Sequence, residues 1–243
     1  MAPRPRPPHT PTGYPPETAP DTVSRDSTFY FDQVVFQVGK RLFKVPRRRF
    51  EQESENFRDM FALPTSDGNV EGSSDEHPLL LEGIAEEEFR TLLRVMFRPH
   101  YGASEEESRP LSLTEWIDVL KLTTMWHYAT LRAVAIDSLT PMLQQYEPVQ
   151  WISLARKYDV REWLLPALHA LARRKQPLQL HEVEPLGIAT AIKMAEVRES
   201  YVSVVSQGRG NARGYGSQQF QQERETANFE YEIRRLFEDE LEK

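Results

Sequence analysis

The chain has 243 residues, of which 39% are hydrophobic and 28% are charged. This apolar content is enough for the core of one or two domains, and it excludes a globally disordered protein. The 37 acidic and 30 basic residues give a net charge of −7, which disfavours binding to a phosphate backbone. The absence of cysteine excludes a disulfide scaffold, a cysteine nucleophile and a thiolate metal site, and it fits an intracellular, reducing compartment.

The first twenty residues contain eight of the 18 prolines. Proline has no backbone N–H to give to a helix or a sheet, so we predict a disordered, proline-rich tail over 1–26. The tail lacks the continuous apolar stretch of a secretory signal. The segment Pro3–Pro8 also fits a ligand for an SH3-type groove. Two interpretations, a solubilising tail and a docking ligand, therefore stay open.

A β-hairpin is predicted next. Its first strand has apolar residues at alternate positions, Val34, Phe36 and Val38, and a turn at Gly39-Lys40 leads into the second strand. Pro46 ends that strand and can begin a helix. Three phenylalanines then follow at near-helical spacing, Phe50, Phe57 and Phe61.

The middle of the chain alternates loops with one short strand and three helices. Polar loops are predicted at 65–77 and 98–110, and a short buried strand at 79–81. A helix over 86–97 has an apolar face formed by Phe89, Leu92, Leu93, Met96 and Phe97. Ser112 and Glu115 form a capping box that begins the next helix. A further helix over 129–143 is expected to bury Leu131, Val134, Ala135, Ile136 and Leu139.

The C-terminal part is predicted to be helical to about residue 205. One helix face carries Trp151, Leu154, Ala155 and Tyr158, and the next carries Trp163, Leu164, Ala167, Leu168 and Leu171. Leu186-Gly187 is expected to begin a third helix that buries Ile188, Ile192, Ala195 and Val202. A glycine-rich linker over 206–219 precedes an amphipathic helix over 220–243. That helix either docks on the same chain, or binds a partner or pairs as a short coiled coil. The order of elements predicts an α+β fold.

Several of these segments resemble a BTB/POZ domain. The run from Phe31 to Gly39 looks like the opening strands of that family, and Ser54–Phe61 resembles its S-x-x-F-r-x-m-F helix. Leu81–Ile84 with Glu88-Phe89 is similar to its strand-to-helix step, and the resemblance covers about 29–145. The later segment around Leu154–Ala167 is similar to the extension of fungal BTB-domain proteins. The resemblance implies a BTB/POZ fold, a short sheet flanked by helices, over 27–145 and a helical extension over 146–205.

The resemblance also implies a non-enzymatic protein-protein interaction module that self-associates or recruits partners. The expected homodimer interface consists of Phe29, Tyr30, Phe31, Asp32, Arg47, Arg48 and Arg49. Core packing is the alternative for the three aromatic residues, and the arginines are candidates to pair with Asp32. Pro46 stands where animal members commonly have a histidine close to the charged pocket of the dimer, so that pocket is expected to be incomplete.

Two further functions stay open, and the resemblance implies the first of them. A substrate adaptor of a cullin-based ubiquitin ligase would meet the cullin scaffold through Leu113, Glu115, Trp116 and Asp118. A transcription co-regulator is the other alternative, although nucleic-acid binding is not expected from the net charge. No membrane segment is expected, because no run of about 18 apolar residues occurs.

The sequence offers no constellation for catalysis. The six histidines lack the i, i+4 spacing of a zinc helix, and no nucleophile elbow or phosphate-binding loop is present. The acidic runs 86–88 and 105–107 indicate solvated surface. The basic runs 47–49 and 173–175 indicate a helix surface and a helix C-terminus that complements its dipole. We therefore predict no enzyme activity, no cofactor and no metal.

Overall fold

The computed structural model describes residues 23–62, 71–97, 108–208 and 224–242, with side chains described as far as Tyr201 in the third range. The strands are β1 (Gln33–Val38), β2 (Arg41–Pro46) and β3 (Leu79–Leu80). The helices are α1 (Arg47–Glu53), α2 (Glu55–Ala62), α3 (Glu86–Met96), α4 (Leu113–Met125), α5 (Ala129–Leu143), α6 (Pro148–Lys157), α7 (Leu164–Arg173), α8 (Leu180–Leu186), α9 (Ile188–Gly208) and α10 (Glu230–Leu241), with a 3-10 turn at Arg161–Trp163 before α7. The α+β prediction is confirmed.

The predicted hairpin is confirmed, and it forms two strands of a three-stranded sheet. β1 and β2 pair antiparallel with Phe36 opposite Phe43, and β3 joins the other side of β1 in parallel, so the strand order is β2-β1-β3. At the turn, Gly39 has a φ of +57°, a conformation that favours glycine. Glu86 of α3 accepts hydrogen bonds from the Lys40 N–H at 3.0 Å and from Arg41 Nε at 2.6 Å. These contacts join the hairpin turn to the first turn of α3.

The phenylalanines after Pro46 lie on two helices rather than one. Ser54 adopts an extended conformation between α1 and α2 and forms an isolated bridge with Tyr128. Its hydroxyl donates a 2.6 Å hydrogen bond to the Trp126 carbonyl, a contact that competes with a continuous helix. The break lets Phe50 and Phe57 meet at 5.2 Å between ring centroids. They belong to a buried aromatic cluster with Phe36, Phe89, Trp126 and Tyr128.

The middle helices largely match their predicted faces. Phe89, Leu92 and Met96 are buried, and Leu93 and Phe97 are half-buried against the same core. Two burial predictions are wrong at the edges of these elements. Leu80 of β3 is 53% exposed, because the two-residue strand faces the core only through Leu79. Val134 of α5 is 41% exposed, since this helix packs through Leu131, Ala135, Ile136 and Leu139 instead.

The third C-terminal helix begins at Ile188, within two residues of its predicted start, but its buried face is predicted wrongly. Leu186 ends α8, a separate helix, and Gly187 with a φ of +82° divides it from α9. α9 turns a different face to the core, and Thr190 on that face accepts a 2.8 Å hydrogen bond from Arg156. Its buried residues are Thr190, Met194 and Val197, whereas Ile188 is 70% exposed, Ile192 is 64% exposed and Ala195 is also exposed. The Val202 side chain lies outside the described residues.

The C-terminal helix docks on the body of its own chain. Phe229, Ile233 and Phe237 are buried against α7 and α9. Glu240 pairs with Arg156 of α6 at 2.8 Å, and Arg173 Nε donates to the Ala227 carbonyl at 2.8 Å. Of the two interpretations of this segment, the structure therefore has the one in which it packs in the same chain.

Several predicted segments lie wholly or partly outside the described residues. These are residues 1–22 of the tail over 1–26, residues 65–70 of the loop over 65–77, residues 98–107 of the loop over 98–110, residues 209–219 of the linker and residues 220–223 of the helix over 220–243. The linker was expected from residue 206, but α9 continues to Gly208. Within the described ranges, no helix is both long and apolar enough to cross a membrane.

Candidate interaction surfaces

Three consecutive aromatic side chains project from the turn that precedes β1. Phe29 is 77% exposed, Tyr30 is 55% exposed and Phe31 is 50% exposed, so core packing is wrong for all three. The Asp26 carboxylate holds the turn, because it accepts hydrogen bonds from the backbone N–H groups of Phe29 at 2.7 Å and Thr28 at 2.8 Å. These bonds also lower the pKa of Asp26. We name residues 26–31 the aromatic turn.

The charged residues beside the aromatic turn do not pair as predicted. The Arg47 side chain binds Glu51 at 2.6 Å and stacks on the Phe61 ring at 4.4 Å, so the expected ion pair with Asp32 is not formed. The link between these segments is a backbone hydrogen bond from the Arg47 N–H to the Asp32 carbonyl at 2.9 Å. Asp32, Arg48 and Arg49 are exposed, and none of them forms an ion pair within the described ranges. The backbone bond nevertheless places Asp32 beside the first residue of α1, the helix on which Arg48 and Arg49 are exposed.

The second predicted surface centres on Glu115 at the start of α4. The capping box is confirmed: the Ser112 N–H donates to Glu115 at 2.9 Å, and the Ser112 hydroxyl accepts from the Glu115 N–H at 3.3 Å. Arg109 binds both carboxylate oxygens, at 2.6 and 2.8 Å, and Arg94 binds one at 3.2 Å. These contacts, led by Arg109, lower the pKa of Glu115 to about 2. The Glu115 carboxylate of α4 thus connects that helix to Arg94 of α3 and to Arg109.

The other members of that predicted surface have different environments. Leu113 is half-buried against the core. Trp116 is half-buried too and lines a cleft of about 340 Å³ beside the exposed Val134. Partial burial and the nearby Glu88 raise the pKa of Asp118, while Lys121 binds Glu88 at 2.7 Å. The structure therefore brings the four residues to the first turns of α4, with Glu115 occupied inside the chain.

An ionic cluster that the sequence did not predict lies at the end of α7. Arg174 binds both carboxylate oxygens of Glu182, at 2.5 and 2.7 Å, and lowers the pKa of Glu182 to about 2. Arg198 and Arg224 donate to the Arg174 carbonyl at 3.0 and 2.8 Å. Burial and the two neighbouring arginines lower the pKa of Arg198 to about 10. The signal that could have revealed the cluster was Glu182 at the third position of α8.

The basic run at 173–175 therefore does more than complement a helix dipole. Arg173 donates a hydrogen bond to the Ala227 carbonyl, and Arg174 forms an ion pair with Glu182 of α8. Lys175 pairs with Glu225 at 2.8 Å. Each contact connects the end of α7 to a later segment. The three residues fasten the C-terminal part of the chain.

No model of a known protein family matches the chain, and no curated protein matches it either. Among the described residues, no group of three or more histidine, cysteine, aspartate or glutamate side chains could hold a metal ion.

Proposed function

We propose that this protein is a non-enzymatic protein-protein interaction module that forms a homodimer through the aromatic turn. The observation that carries the proposal is the exposure of Phe29, Tyr30 and Phe31 on a turn fixed by Asp26. Contiguous exposed apolar surface typically marks an interaction site, and aromatic residues are enriched at interface centres. The resemblance of 29–145 to a BTB/POZ domain supports the proposal, and the cysteine-free sequence favours an intracellular location.

A second copy of the chain is the partner that this surface fits. A two-fold interface places the same patch on both subunits, so the patch must complement itself. Aromatic rings can pack against their own copies, and Asp32 of one copy can pair with Arg48 or Arg49 of the other. Within one chain these three charges form no ion pair with the described residues.

The aromatic turn supplies the apolar centre of such an interface. From the exposed fractions of the three side chains, two copies would bury on the order of 700 Å² of aromatic surface. A specific interface buries about 1,200–2,000 Å² in total, so the residues around the turn must supply the rest of the buried area. The surrounding charges then set the register of the two copies rather than the affinity.

The test is the dimer dissociation constant, measured by sedimentation equilibrium for the full chain and three variants. Phe29→Ser with Phe31→Ser is expected to raise the constant by at least about 100-fold, because each substitution acts twice in a two-fold dimer. Leu42→Ser is the control, since Leu42 is 46% exposed on β2 but lies outside the turn. Asp32→Arg alone is expected to weaken the dimer through like-charge repulsion. Equal constants for the double variant and the Leu42 control would refute the proposal.

A further inference from the structure

Helix α9 has apolar residues on two sides, and the protein core covers only one of them. The buried side includes Met194 and Val197, whereas Ile188 is 70% exposed and Ile192 is 64% exposed. Ala195 is exposed as well. Because a helix turns about 100° per residue, the exposed set lies on the side of α9 opposite to the buried set. We name Ile188, Ile192 and Ala195 the isoleucine face.

The spacing of the isoleucine face is that of a contact between two helices. Its residues lie at positions i, i+4 and i+7, the spacing that lines the seam between packed helices. They cover about 10 Å along the helix axis. Adjacent exposed isoleucines form a contiguous apolar patch, unlike the single exposed apolar residues that are common on protein surfaces. A partner helix of two to three turns is therefore the element that fits this face.

The end of α10 places acidic residues beside the first turns of α9. The two segments are neighbours, because Arg156 binds both Thr190 of α9 and Glu240 of α10. Asp239 and Glu242 at this end are exposed, and neither forms an ion pair with a described residue. Negative charge at the C-terminus of a helix is repelled by the helix dipole. A basic partner at this end of α10 would relieve that repulsion.

Charge selects the partner of the isoleucine face. A second copy of the chain would bring two acidic helix ends together, and like charges across an interface oppose association. Nucleic acid and anionic membranes are repelled for the same reason. We infer that the isoleucine face binds an amphipathic helix of another protein, with apolar residues along one side and lysine or arginine beside them. This inference goes beyond the proposed homodimer, since it concerns different residues and a different partner.

The probe is a synthetic peptide of about 14 leucine and lysine residues, with leucines spaced so that they share one side of a helix. Isoleucine methyl signals of the full chain, followed by nuclear magnetic resonance, report where the peptide binds. Shifts are expected at Ile188 and Ile192 and not at Ile136 or Ile152, which are buried. The same peptide with glutamate in place of lysine is the charge control, and it is expected to bind at least about 10-fold more weakly.

A pair of matched variants tests the apolar contact. Ile188→Ser with Ile192→Ser is expected to raise the dissociation constant of the lysine peptide at least about 10-fold, because both side chains lie at the centre of the contact. Leu42→Ser with Leu180→Ser is the control, since it replaces two apolar residues that are 46% and 90% exposed and lie outside the isoleucine face. The control is expected to bind the peptide as the wild type does.

A second variant tests recognition by charge. Asp239→Asn with Glu242→Gln is expected to weaken peptide binding about 3- to 10-fold at low salt, because it removes two charges that attract lysine. The same change removes negative charge from a helix C-terminus, so the melting temperature is expected to stay the same or rise. Weaker binding by this variant is therefore not a consequence of unfolding. Phe29→Ser with Phe31→Ser is expected to leave peptide binding unchanged, which separates this inference from the homodimer.

Several results would overturn the inference. They are equal affinity for the lysine and glutamate peptides, equal affinity of the isoleucine variant and its control, unchanged affinity of the charge variant, and equal shifts at Ile136 and Ile188. Without peptide, the Ile188 and Ile192 signals are expected to keep their positions when the chain is diluted. Movement of these signals on dilution would show a second copy on the isoleucine face and would also overturn the inference.

Discussion

The ion pair between Arg174 and Glu182 gives the most quantitative prediction of the structure. Both side chains are largely buried, at 13% and 10% exposure, and the carboxylate also accepts the Gln179 N–H at 2.7 Å. Glu182→Gln keeps the shape of the side chain but removes its charge. Because a buried arginine then lacks its main partner, we expect the free energy of unfolding to fall by about 2–3 kcal/mol at pH 7. For a chain of this size that is a loss of about 5–10 °C in melting temperature.

The stability difference between the wild type and Glu182→Gln is expected to depend on pH. The pKa of Glu182 is lowered from 4.5 to about 2 in the folded protein. The charged carboxylate therefore stabilises the fold fully above the unfolded pKa, and this stability is lost as the pH falls from about 4.5 towards 2. Circular dichroism melts at pH 7 and pH 3 are expected to show the wild type and Glu182→Gln converging at the lower pH. Glu184→Gln, exposed on the same helix, is the control. A difference that stays constant between the two pH values would refute the reasoning.

Two further predictions concern the packing of the backbone and of the C-terminal helix. Gly72 has a φ of +79°, and an added Cβ would lie 2.7 Å from Val34 Cγ2. Gly72→Ala is therefore expected to lower the free energy of unfolding more than Gly83→Ala, because Gly83 has a similar φ of +73° but nothing within 4 Å of an added Cβ. Urea unfolding measures both variants, and equal losses of stability would contradict the predicted clash. Phe237→Ala empties a fully buried position of α10 and is expected to cost about 3–5 kcal/mol. Limited proteolysis should then cut the C-terminal segment sooner than in Tyr231→Ala, which changes a 76% exposed residue of the same helix, and equal cutting rates would contradict it.

Local patterns in the sequence were sufficient to predict the hairpin, α3 and the start of α4. Each depends on residues within a few positions of one another, such as the Gly39 turn or the capping box of Ser112 and Glu115. Long-range contacts decided the features that were predicted wrongly. The helix break at Ser54 depends on Trp126 and Tyr128, more than seventy positions away. A helix with apolar residues on several sides does not reveal which face is buried, and for α9 that face is the one that packs against α7, α8 and α10.

The candidate surfaces show the same division between local and long-range information. The three adjacent aromatics predicted either an interface or a core, and only the exposed fractions separate the two. The expected ion pair between Asp32 and Arg47 does not form, because Glu51 lies one helical turn from Arg47 and binds its side chain. Glu115 looked like a surface acid, whereas Arg109 and Arg94 bind it within the chain.

The most direct test of the proposed homodimer is the molar mass of the full chain in solution. Light scattering after size exclusion at tens of micromolar is expected to give twice the chain mass of 28.3 kDa for the wild type and 28.3 kDa for Phe29→Ser with Phe31→Ser. A wild-type mass of 28.3 kDa at that concentration would contradict self-association through the aromatic turn.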